Sequence, residues 1–153
     1  MKSGTRPRDT ARAMSEENVE IVRQAFEEFQ TGMEQGDPGA GFDSDAVADD
    51  YEWITINPFE GRTVWRGRQE FVEFLRTFTA EFEDWSVRAE RRIAAGEDRV
   101  VGLMHQSATG KGSGAPVEWQ FGQVWELKDG RVIRSGTTTA PPRPSKPPGC
   151  GSR

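Results

Sequence analysis

Five large apolar residues recur at helical spacing between positions 71 and 82: Phe71, Phe74, Leu75, Phe78 and Phe82. A helix with so aromatic a stripe must bury it against something both broad and apolar, and a β-sheet is such a surface. Gly67 stands just before this helix, and the rest of the chain has to supply the sheet.

The flanking segments read accordingly. Ser15 is a good N-cap, Glu16 and Glu17 suit the positive end of a helix dipole, and Val19, Val22, Phe26 and Phe29 share one helical face. This first helix is expected to run to about Thr31, with Gly32 and Gly36 stopping it. Between Asp37 and Asp50, Phe42, Ala46 and Val47 fit one side of a short helix. Tyr51 to Asn57 alternates as a strand that ends at Pro58, with Trp53, Thr55 and Asn57 on one face. Four more strands follow: Trp85 to Ile93, Arg99 to Thr109, Val117 to Lys128, and one opening at Val132. Helices first and an antiparallel meander afterwards is an α+β order.

At 153 residues the chain is about one domain long, and five Trp and nine Phe give it enough large side chains for a core despite 29% charged residues. The formal net charge of -5 is spread among interspersed cations and anions, which argues against nucleic acid as a partner. Val100 to Met104 is the longest apolar stretch, far short of the roughly 20 residues of a membrane span. Met1 to Ala13 holds Lys2, Arg6, Arg8 and Arg12 but no apolar run, so a signal peptide is not expected and cytoplasmic residence is the default. One cysteine, Cys150, and one histidine make an internal disulfide impossible and a structural zinc site an unpromising idea; no metal and no cofactor are expected.

The expected organisation is a disordered extension over residues 1–14, a folded domain over 15–136 and a Pro/Gly-rich tail over 137–153. Met14, directly before the helix start, is an alternative first residue. Five prolines between Pro141 and Pro148 cannot sustain a central ladder, so the last strand is expected to end near Gly136.

Four strings resemble those of SnoaL-like polyketide cyclases, a family of the nuclear transport factor 2-like superfamily. They are Ser15 to Arg23, Ala48 to Trp53, Arg66-Gly67-Arg68, and Val124 to Val132, and the likeness spans residues 15–134. The resemblance implies a cone in which a curved mixed or antiparallel sheet wraps the helices around an apolar pocket, often in a homodimer. It implies a small hydrophobic ligand, a carbonyl compound or an epoxide, handled by an isomerase, cyclase or epoxide hydrolase or by a non-catalytic binder; fold alone does not choose between them.

His105 is the sole histidine and the candidate acid–base residue, on the strand face of Val101, Leu103 and Ser107, provided that face lines the pocket. Asn57 and Gln123 fall where ketosteroid isomerases of the superfamily place their working acids; neither amide is a general base, but both can hydrogen-bond a ligand carbonyl. Trp53, Trp65, Trp119, Phe121 and Trp125 suit a planar ligand, and Tyr51 is expected nearby. Glu52, Glu118 and Glu126 are out of phase with the aromatic faces and read as solvated or interfacial. Gly110 to Gly114 joins two strands, so it reads as a hairpin loop and not a phosphate loop.

The tail admits one further reading. In a shifted frame the genetic code permits Trp-Asp-Tyr-Tyr over residues 136–139, like the strand ending of relatives, with an acid where Thr137 stands. By resemblance to limonene epoxide hydrolases, that acid would belong to the pocket.

Overall fold

The surface that receives the aromatic stripe is a six-stranded sheet in the order β2-β1-β6-β5-β4-β3. The computed structural model describes residues 7–55 and 63–137. Their elements are α1 (Pro7–Glu34), a 3-10 turn (Ala40–Asp43), β1 (Val47–Ile54), β2 (Val64–Arg66), α2 (Gly67–Thr79), β3 (Phe82–Ala94), β4 (Arg99–Gly110), β5 (Pro116–Lys128) and β6 (Arg131–Thr137).

β1 runs parallel to β6, and the other neighbours are antiparallel. Register shifts interrupt four places: between Val47 and Glu52, Glu83 and Ser86, Ala89 and Arg91, and Glu126 and Leu127. Such irregularities bend strands and increase twist, which lets the sheet curl around the helices. The result is the α+β cone of the nuclear transport factor 2-like fold.

Several boundaries differ from expectation. α1 opens at Pro7, eight residues before Ser15. Proline has no N–H to leave unsatisfied in a first helical turn, and the alanines that follow favour helix. Ser15 therefore lies inside the helix, and its hydroxyl donates to the Gly96 carbonyl at 3.0 Å while the Asn18 amide donates to that of Glu97 at 2.7 Å. These two bonds tie α1 to the β3–β4 turn. Gly32 stays helical and the chain turns at Gly36, with φ 79°.

The expected short helix before Tyr51 is one 3-10 turn, and β1 takes up the chain from Val47. β2 was not anticipated, because three residues carry too little periodicity; pairing with β1, Trp65 against Trp53, defines it. Phe82 leaves the α2 stripe for β3, where it pairs with Gly110, yet its ring still meets Phe78. Asp129 and Gly130 both have positive φ, as a two-residue hairpin turn requires.

The core lies between α1, α2 and the concave face of the sheet. Val22, Val100, Met104 and Val132 are sealed there, with Phe26, Phe121 and Trp125 around them. Among the described residues no helix is long and apolar enough to cross a membrane.

Candidate functional site

Strand alternation decides which side chains face the helices. On β4 the inner face carries Val100, Gly102, Met104, Gln106 and Ala108; on β5 it carries Trp119, Phe121, Gln123, Trp125 and Leu127. α1 lays Phe26 and Phe29 over these strands, and α2 adds Phe71, Phe74 and Phe78. Close packing of so many rings leaves a cavity of about 160 Å³.

Several ring pairs meet edge to face, an arrangement their quadrupoles prefer, and others are tilted. Phe71 stands at 89° to Tyr51 and at 74° to Trp53, with centroids 5.6 and 6.2 Å away. Phe78 reaches Trp85 and Trp119 at the other side of the cavity.

Polar groups on this wall fall into two sets. Gln106 Oε1 accepts a bond from Trp85 Nε1 at 2.7 Å, and Tyr51 shares a buried hydrogen bond with Ser135. Trp53 Nε1, Trp119 Nε1, Thr55 Oγ1 and Thr137 Oγ1 are buried without a partner, although all four residues line the cavity. A buried polar atom left unpaired costs about 1–3 kcal/mol, and four such atoms belong to residues of this one wall.

Tyr51 is the one titratable side chain among the described lining residues. Burial pushes its phenol well above the usual tyrosine range, with the Ser135 bond opposing weakly, so the group stays protonated. The wall is thus aromatic, uncharged and supplied with neutral donors.

A SnoaL-like domain model matches residues 22–135, which contain all of this wall except Thr137. The chain belongs to the SnoaL-like domain family. Solved structures of similar fold include a nuclear transport factor 2-like protein of unknown function from Burkholderia pseudomallei, 21% identical over 79% of this chain and 88% of that one, TM-score 0.63. Another is a candidate SnoaL-like polyketide cyclase from Jannaschia, 16% identical over 89% and 90%, TM-score 0.63. TerC, co-crystallised with polyporic acid, is 21% identical over 79% and 89%, TM-score 0.62. No curated protein matches the chain.

In this SnoaL-like domain the expected ligand residues separate. Trp53, Trp119, Phe121 and Gln123 line the cavity, as do Tyr51 and Trp125. Trp65 does not: it is buried behind Phe74, centroids 5.3 Å apart, because β2 lies at the sheet edge. Asn57 lies outside the described residues.

His105 requires a correction. It shares a face with Val101, Leu103 and Ser107 as the alternation implies, but that face is the convex one, away from the cavity. Its Nε2 lies 2.9 Å from Glu118 Oε1 and its Nδ1 3.5 Å from Glu90 Oε2, the latter in ion-pair range without hydrogen-bond geometry. On the same convex face Glu52 is clasped by Arg66 and Arg134, and the bond from Arg66 foremost holds its carboxyl below the usual range.

Thr137, expected in the tail and expected at the pocket only as the acid of the shifted frame, belongs to the wall as it stands. It is the last residue of β6 and lines the cavity beside Gln123, its register partner on β5. Residues 138–153 lie outside the described residues. At Gly136 a Cβ would come within 2.6 Å of the Ile54 carbonyl oxygen, so the Trp of the shifted frame would fit there only if β1 and β6 moved apart.

Proposed function

We propose that this SnoaL-like domain holds a flat, hydrophobic carbonyl compound in the aromatic cavity and polarises it through neutral hydrogen-bond donors. The observation that carries the reading is four unpartnered polar atoms, Trp53 Nε1, Trp119 Nε1, Thr55 Oγ1 and Thr137 Oγ1, on residues of a mostly apolar wall. A donor that meets a ligand's carbonyl oxygen stabilises charge that develops on it, which assists cyclisation or isomerisation of a bound ketone. A base-driven proton transfer is disfavoured, since the one titratable lining group among the described residues is a phenol kept protonated. That a structure of the same fold, TerC, was co-crystallised with polyporic acid agrees with an organic occupant.

A thermal-shift screen of hydrophobic ketones and epoxides, followed by product analysis of each binder, tests the reading. Stabilisation by ketones supports it, and appearance of product then makes the protein an enzyme. Stabilisation without product makes it a binder. No shift by any ketone overturns the proposal.

A second reading concerns the convex face, where Ile93 is 51% and Leu103 40% exposed on neighbouring strands. We infer that a second copy covers this patch, in keeping with the homodimer the family resemblance implies. Light scattering of Leu103→Asp against the unaltered chain tests it: a monomeric variant from a dimeric parent supports the assignment, and a monomeric parent overturns it.

A further inference from the structure

One end of the cavity carries a row of polar side chains across three adjacent strands. Gln123 on β5 is the register partner of Thr137 on β6. β1 and β6 pair in parallel through Trp53 with Ser135 and Ile54 with Gly136, so the next residue, Thr55, stands beside Thr137. All three line the cavity, Thr55 and Gln123 are each 8% exposed, and both threonine hydroxyls lack a partner.

Two facts limit what such a row can hold. Neighbouring strands are about 4.8 Å apart, so groups at equivalent positions on β1, β6 and β5 repeat at about that interval. Oxygens at positions 1 and 3 of a six-membered ring are separated by about the same distance, whereas those at positions 1 and 2 are closer and those at 1 and 4 point away from each other. Further, the described lining residues include no cation, so an anionic oxygen would be buried without compensation and the matching oxygens must be uncharged.

We propose that the Thr55–Thr137–Gln123 row recognises the edge of a flat ring bearing two uncharged oxygen functions in a 1,3 relationship. This rests on the cavity being the ligand site. The threonine hydroxyls donate or accept as the tautomer requires, and the Gln123 amide offers both an N–H and a carbonyl. Aromatic rings on the surrounding wall take the remainder of the ligand.

The test uses four probes of one carbon skeleton on the full chain: naphthalene and its 1,2-, 1,3- and 1,4-diols, with affinity read from quenching of the cavity tryptophans. The 1,3-diol should bind about tenfold more tightly than naphthalene, the equivalent of one or two well-made hydrogen bonds, and more tightly than either isomer. Thr55→Val and Thr137→Val should each remove much of that preference, read in each variant as the ratio of its 1,3-diol affinity to its naphthalene affinity. Valine keeps the shape and deletes an unpaired hydroxyl, so neither variant should melt below the parent, which separates lost recognition from lost folding. Equal affinity for the three diols, or an unchanged preference in both variants, overturns the inference while leaving the cavity reading intact. Failure of naphthalene and every diol to bind overturns both.

Discussion

The Tyr51 and Ser135 hydroxyls form a buried hydrogen bond between β1 and β6, 84 residues apart in the chain. It secures the parallel strand pair that brings Thr55 and Thr137 together, and it places a neutral phenol on the cavity wall. Tyr51→Phe leaves Ser135, 2% exposed, without its partner and should cost about 1–3 kcal/mol in denaturant unfolding.

The same residue predicts a pH dependence. Its folded-state value lies above the unfolded one, so the associated stability is intact below about pH 10 and is lost as pH rises toward the folded value. Tyr51 is the only tyrosine, so absorbance at the phenolate band reports it alone. Native protein should show no ionisation at the pH where denatured protein ionises, and a normal native titration would contradict the assigned burial.

Glu52 has the opposite sign. Arg66 first and Arg134 second depress its carboxyl, so its contribution is present above about pH 4.3 and lost as pH falls through the folded value. The guanidinium groups are 65% and 41% exposed, and solvent screening limits the network to about 1 kcal/mol. Glu52→Gln should therefore melt lower than the parent at neutral pH, with the two curves converging in acid; a constant gap across pH would show that charge is not responsible.

His105→Gln removes the ring between Glu90 and Glu118 on the convex face. Because that face is remote from the cavity, ligand affinity should stay within about twofold. Loss of most binding, measured by titration of any compound that the parent binds, would restore the residue to the site.

Gly102 sits under Trp125, where a Cβ would meet the indole ring at 2.6 and 2.9 Å. Gly102→Ala should force that ring toward the cavity, costing about 1–3 kcal/mol by overpacking and weakening ligands through lost volume. A calorimetric melting scan checks the first effect, and an unchanged melting point would mean that the indole has room to give.

Much of this was legible in the chain because it depends on neighbours in sequence. The α2 stripe, the face shared by His105, Leu103 and Val101, and the Asp129-Gly130 turn follow from local periodicity and backbone preference. What alternation cannot supply is which face turns inward. On β4 both faces carry apolar side chains, Val100 and Met104 on one and Val101 and Leu103 on the other, so His105 could be grouped correctly and still be assigned to the wrong side. Only the packing of α1 and α2 onto the sheet decided that, since burial is a property of the assembled layers. The Thr55–Thr137–Gln123 row was hidden for a related reason: it exists through the parallel β1–β6 pairing, whose partners lie some 80 residues apart, and no local pattern encodes a contact that loop closure and tertiary packing must create.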